Sequence, residues 1–139
     1  MENPHSTPIQ FEMKLELVPV PVSDVDRAKD FYINKIGFHL DHDVYSPDKT
    51  MRIVQLTPVG SACSIVIGTG INEVSDMTPG TIKVLHLVVK NIAQICQALT
   101  EKGVAVGELQ EYDGGRIKYA RFSDPDGNSW LLQEINTKS

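Results

Sequence analysis

The chain repeats itself, and that repeat limits its folds more than any other feature. Asp24 and Asn91, each placed to cap the start of a helix, lie 67 residues apart, and the glycines that end those helices, Gly37 and Gly103, lie 66 apart. The same order of elements surrounds both pairs. In the first copy a β-branched run over residues 14–22 leads into a helix from Ser23-Asp24 to about residue 35. Asp26 in its first turn suits the helix dipole, and the helix buries Val25, Ala28, Phe31 or Tyr32, and Ile36. Strand-like runs follow at 38–45, 51–57 and 62–68, separated by Ser-Pro-Asp-Lys and Pro-Val-Gly-Ser turns. In the second copy a strand over 82–89 precedes a helix whose Ile92, Ile95, Cys96 and Leu99 recur at amphipathic spacing. Strands are then expected at 104–109, 116–123 and 129–135. A period this long marks a duplicated module, since solenoid repeats run about 20–50 residues.

The expected fold is therefore α+β, with two tandem βαβββ modules building a curved, mostly antiparallel sheet around a cleft. Residues 1–12 show no periodicity and are expected to form a loose arm. Residues 13–139 make one domain, with module one at about 13–70, a linker at 71–80 and module two at about 81–137. Pro19 and Pro21 interrupt the first strand, which places it at an edge or bulge because proline gives no ladder donor. With 139 residues the chain buries a sufficient core without disulfides or metal. Cys63 and Cys96 stand far apart in apolar segments and read as reduced core thiols.

The net charge is −5, and the 13 lysines and arginines form no basic run. That argues against nucleic acid or an anionic membrane surface as partner. No apolar stretch reaches the roughly 18 residues of a membrane span. The polar start of the chain, with two prolines before Lys14, does not read as a signal peptide, so the cytoplasm is the expected location.

Two segments, PVSDVDRAKDFYINKIGF in the first module and ARFSDPDGNSWLLQE in the second, resemble the vicinal oxygen chelate superfamily. That group holds glyoxalase I, the bleomycin-resistance proteins and the extradiol dioxygenases, and the likeness runs from Met13 to about Ile135. It implies the paired βαβββ fold and a homodimer. It does not choose a reaction, because members include isomerases, dioxygenases, thiol transferases and drug binders.

Metal-dependent members hold a divalent ion with His, Gln or Glu side chains on the first and last strand of each module. Carried onto this sequence, those positions are Leu17, seven residues before Asp24; Leu131, three after Asn128; Val84, by the repeat offset; and a residue near Ile65. All four are apolar and offer no lone pair, so no cofactor is expected, with a divalent metal as the alternative. His86 and Gln133 lie two residues beyond Val84 and Leu131, on the same strand faces. Two ligands are too few for most ions.

The expected ligand cleft is a largely apolar floor of Leu17, Ile65, Val84 and Leu131, with His86 and Gln133 as orienting groups and Gln55 and Tyr119 as further candidates. His86 is the best candidate for catalysis, against the plainer role of a hydrogen-bonded histidine lining core or pocket. The Asp-Pro-Asp-Gly-Asn run is a turn first, and Trp130 is expected against a helix. The leading expectation is a metal-free binder of a small organic molecule, like the bleomycin-resistance branch. The alternative is a glyoxalase- or dioxygenase-like enzyme (lyase, isomerase or oxygenase), using a displaced metal site or His86 as acid/base.

Overall fold

A computed structural model of the chain describes residues 7–136; part of the expected arm, residues 1–6, and the last residues of module two lie outside the described residues. Residues 7–16 form no regular element. Module one then runs β1 (Leu17–Pro19), α1 (Val25–Asp30, prolonged by a π-helical turn over Phe31–Ile36), β2 (His39–Tyr45), β3 (Arg52–Thr57) and β4 (Ser64–Thr69). Module two runs β5 (Leu85–Val88), α2 (Ile92–Glu101), β6 (Gln110–Tyr112), β7 (Ile117–Ser123) and β8 (Ser129–Ile135). Each module is a four-stranded sheet, ordered β1-β4-β3-β2 and β5-β8-β7-β6. The opening strand pairs parallel to the last, and the other pairs are antiparallel.

Strand alternation sorts the side chains. Val54, Leu56, Ile65 and Ile67 of sheet one, with Ala120, Phe122, Trp130 and Leu132 of sheet two, share one buried core with Val25, Ala28 and Leu99 of the helices. The sheets therefore meet through their helix-bearing sides. Phe31 and Tyr32 are adjacent yet both buried, since the π-helical turn widens the helix and brings both rings inward. Phe31 lies 6.3 Å from the Phe122 ring and Tyr32 5.8 Å from Trp130, so the helix of one module packs on the sheet of the other.

The Asp-Pro-Asp-Gly-Asn turn ties this seam. Buried Asp124 accepts from the Tyr32 hydroxyl (2.8 Å), the Asn128 side-chain amide (2.8 Å) and the backbone N–H groups of Asp126 (2.9 Å) and Asn128 (3.0 Å). Trp130 Nε1 donates to the Tyr32 oxygen at 3.0 Å, and Asn128 also donates to the Pro21 carbonyl at 2.8 Å. Burial, then the Asp124 charge, holds the Tyr32 phenol far above its ordinary pKa, so it stays a donor. The run is a turn, as its composition indicates, and in addition a clamp between modules. The clamp extends to the surface, where Ser23 Oγ donates to Asp126 at 2.6 Å and Arg27 pairs with it at 3.3 Å.

Several boundaries differ from the sequence reading for identifiable reasons. The ladder of β5 begins at Leu85 because Ile82 and Val84 donate their N–H groups to Asn128 Oδ1 and Ser129 Oγ. The strand expected at 104–109 is irregular, and its place in the sheet is taken by β6 next to the Asp113-Gly114-Gly115 turn. Gly107 donates to Arg121 at 2.8 Å, one residue out of step with the Gln110–Tyr119 register, so a bulge separates the two segments. Asn91 occupies the cap position of α2 but makes no capping bond; Glu134 reaches across from β8 and accepts from Ile92 N at 2.9 Å. Both cysteines are free and half-buried, and burial raises the Cys96 thiol pKa.

Candidate functional site

The faces turned away from the helices are the chemically distinct surfaces. In module two, with Ala120, Phe122, Trp130 and Leu132 committed to the core, the alternate residues Tyr119, Arg121, Leu131 and Gln133 lie on the outer face. His86 faces Leu131 in the parallel register, and Gln110 faces Tyr119. The bulge after Gly107 brings Glu108 beside them. Together they surround a cavity of about 460 Å³, lined by His86, Glu108, Gln110, Tyr112, Tyr119 and Arg121 over a base of buried Leu131. That volume falls in the range of roughly 300–1,000 Å³ that holds small ligands.

Its polar groups have few partners of their own. Among the described residues the side chains of Glu108, Tyr119 and Arg121 make no hydrogen bond or ion pair, while Tyr112 donates to Gln110 at 2.8 Å. The Tyr112 and Tyr119 rings pack at 5.6 Å and an interplanar angle of 60°. His86 Nδ1 lies 2.9 Å from the Val84 carbonyl. A carbonyl only accepts, so Nδ1 carries the proton and Nε2 of the neutral ring keeps its lone pair. Val84 holds φ +61°, a left-handed conformation costly for a β-branched residue, fixed by its bonds to Ser129 and His86.

The outer face of module one is closed on itself. Asp41, the extra residue of a bulge between Leu40 and His42, accepts from Thr57 Oγ1, which also contacts Ser64 Oγ. Gln55 points its amide at Ser64 and Asp41, at 3.4 and 3.5 Å, and His39 Nε2 lies 3.7 Å from Asp41. Asp43 belongs to the helix side, where Arg52 binds it at 3.0 and 2.9 Å and Lys29 at 2.6 Å. The Arg52 hydrogen bonds hold the Asp43 carboxyl well below the usual carboxylate range.

The structure thus gathers His86, Tyr119 and Leu131 around one cavity and places the other candidates elsewhere. Leu17 lies half-exposed on β1, and Gln55 lies in the module-one cluster. Val84 and Gln133 adjoin the cavity strands without lining it. Ile65 is a correction: it is buried in the helix-side core, and its neighbours Ser64 and Val66 occupy the outer face instead. The lining is also more polar than a largely apolar floor. Sequence reasoning missed Glu108, Gln110 and Tyr112, which reach the cavity only through the irregular turn into β6. Arg121 was not assigned either; its alternation with apolar Ala120 and Phe122 is the signal that could have found it.

The family's metal positions can be tested against these placements. Leu17, Val84 and Leu131 carry only carbon side chains, and neither Ile65 nor outward-facing Val66 offers a lone pair. These residues do not fit a divalent ion. Among the described residues no three His, Cys, Asp or Glu side chains gather in a metal-holding group. No helix among them is long and apolar enough to cross a membrane.

A family model described as the Glyoxalase/Bleomycin resistance protein/Dioxygenase superfamily matches residues 14–132. The chain belongs to that superfamily. It is similar to TnmS3, an antibiotic binding protein from Streptomyces sp. CB03234, at 33% identity and TM-score 0.79, covering 91% of this chain and 99% of that one. A glyoxalase/bleomycin resistance protein from the same Streptomyces is 35% identical at TM-score 0.72, covering 86% and 98%. An uncharacterized protein of Shewanella frigidimarina is 30% identical over 91% of this chain and 98% of its own length. The tandem βαβββ organisation of the superfamily is the one the internal repeat indicated.

Proposed function

We propose that the protein binds a small organic molecule on the outer face of module two without a resident metal, and that it works as a homodimer in the cytoplasm. The observation that carries this reading is the cavity around His86, Tyr119 and Arg121, where the Tyr119 hydroxyl, the Arg121 guanidinium and His86 Nε2 have no protein partner among the described residues. Paired tyrosine rings offer an apolar, polarisable wall. An unpaired guanidinium offers a planar double donor, and His86 Nε2 offers an acceptor. Such a set orients a ligand with an aromatic body and an electron-rich oxygen. The antibiotic-binding description of TnmS3 is consistent with it. Carbon side chains at the ligand positions remove the Lewis acid that polarises substrate oxygens in metal-dependent relatives.

The test joins metal content with binding. Mass spectrometric metal analysis of chelator-free protein is expected to give far less than one ion per chain, unchanged after zinc, nickel, manganese or iron(II) is offered. A thermal-shift screen of aromatic acids and phenols is expected to yield compounds that raise Tm in the wild type and not in Arg121→Ala. One tightly held ion per chain would overturn the reading.

A second reading rests on the His86 tautomer. With Nδ1 fixed by Val84, Nε2 is a free base at the cavity, as an acid/base enzyme requires, and one such group contributes about 10²–10⁴-fold. His86→Ala separates the two. It abolishes turnover of a substrate in the enzymatic case and only alters affinity in the binding case.

A further inference from the structure

The module-two cavity holds two opposite charges that do not meet. Arg121 and Glu108 both line it, and among the described residues neither makes an ion pair. They are close in the fold: Gly107, the residue before Glu108, donates its backbone N–H to the Arg121 carbonyl at 2.8 Å. Their neighbours in the β6–β7 hairpin do pair, Arg116 with Asp113 at 2.7 Å and Lys118 with Glu111 at 3.8 Å. A ligand carrying only an anion would satisfy Arg121 and then sit beside the Glu108 carboxylate. A ligand carrying an ammonium and a carboxylate on neighbouring atoms matches both charges at once.

The third unpartnered group lies across the cavity from these two. Leu131 is the register partner of His86 on one side and of Arg121 on the other, so the three form one row over β5, β8 and β7. Adjacent strands stand about 4.8 Å apart, which sets the His86 and Arg121 backbones about 10 Å apart with the Leu131 side chain between them. That span suits one para-substituted ring with a short tail, lying on Leu131. Tyr119, two residues before Arg121 on the same face, supplies an aromatic wall beside it. Because His86 Nδ1 is engaged by the Val84 carbonyl, Nε2 faces a ligand as an acceptor and asks for a donor such as a hydroxyl.

We propose that the cavity takes a zwitterionic hydroxyaryl amino acid, as the free molecule or as the end of a larger one. Arg121 binds its carboxylate, Glu108 its ammonium and His86 Nε2 its phenolic hydroxyl, with the ring over Leu131. The inference rests on the functional reading above, that this cavity binds a small organic molecule, and gives that molecule a class. It also gives Glu108 a use, as the residue that separates amino acids from plain aromatic acids. Each polar group of the ligand then has one protein partner, so each contributes to selectivity separately.

The test titrates the ¹⁵N-labelled full chain with four probes and takes dissociation constants from the amide shifts. The probes are L-tyrosine, 3-(4-hydroxyphenyl)propionate without the ammonium, tyramine without the carboxylate, and L-phenylalanine without the hydroxyl. L-Tyrosine is expected to bind tightest, with a loss of about tenfold or more for either missing charge and about threefold or more for the missing hydroxyl. Each loss is expected to disappear in one variant only. Glu108→Gln should hold L-tyrosine and 3-(4-hydroxyphenyl)propionate within about twofold of each other; Arg121→Ala should do so for L-tyrosine and tyramine, and His86→Ala for L-tyrosine and L-phenylalanine. All three side chains are exposed, so the variants are expected to keep the wild-type circular dichroism spectrum. Equal affinity for all four probes, no binding of L-tyrosine, or losses that persist undiminished in the matching variants would each overturn the proposal. If thermal-shift hits still depend on Arg121 in that event, the functional reading stands and only the ligand class falls; one tightly held metal ion per chain removes the reading itself.

Discussion

The two modules share one element order and differ in how their outer faces treat polar groups. On module one, Asp41, Thr57, Ser64 and Gln55 bond to one another. On module two, Glu108, Tyr119 and Arg121 have no such partners and stand around a cavity. A duplicated fold gives each copy a surface of the same shape, and only the side chains decide which is a site. Polar groups already paired cost energy to redirect to a ligand, whereas unpaired, solvated ones exchange water for a ligand at little cost. The asymmetry is therefore a functional signal.

The largest expected effect lies on neither face but in the seam that holds both. Asp124→Ala removes the acceptor of four hydrogen bonds and strands the Tyr32 hydroxyl. It is expected to cost about 3–5 kcal/mol in urea denaturation, and to loosen both modules together. If one module's amide protection survived unchanged, the modules would be independent and the comparison would need a different basis.

Arg121→Ala should instead leave stability within about 0.5 kcal/mol, since the side chain is exposed, while weakening ligand binding at least about tenfold in calorimetry. Gln55→Ala, at the module-one cluster, is expected to leave affinity unchanged. Equal losses from both substitutions would erase the distinction between the faces.

A smaller effect concerns the helix side of module one. Asp43 is held low by Arg52 and Lys29, so its folded pKa lies below its unfolded value. The stability it contributes is present above about pH 4 and is lost as pH falls through lower values. Asp43→Asn is expected to flatten that acid limb by on the order of 1 kcal/mol in denaturation midpoints measured from pH 7 to pH 2.5. An identical acid limb in the variant would place the acid sensitivity elsewhere.

Much of this was legible from residues alone, for physical reasons. Helix caps and glycine stops are local chemistry, so Asp24, Gly37 and Gly103 marked their positions and exposed the duplication. Counting from Asn128 placed Leu131 on the outer face, because the turn and strand that follow it are regular. Ile65 went wrong because module one has no equivalent landmark before its last strand, and a shift of one residue exchanges the faces. Glu108, Gln110 and Tyr112 escaped because a bulge moved the ladder past the apolar run at 104–109. The roles of Asp124 and Glu134 depend on partners 92 and 42 residues away, which no local pattern encodes.

The most direct test of a ligand face on module two alone is an amide ¹H–¹⁵N correlation spectrum recorded with and without a screening hit. The expected shifts cluster at residues 86, 107–112, 119–121 and 131. Shifts centred instead on residues 39–42, 55–57 and 64 would place the ligand on module one and contradict the assignment.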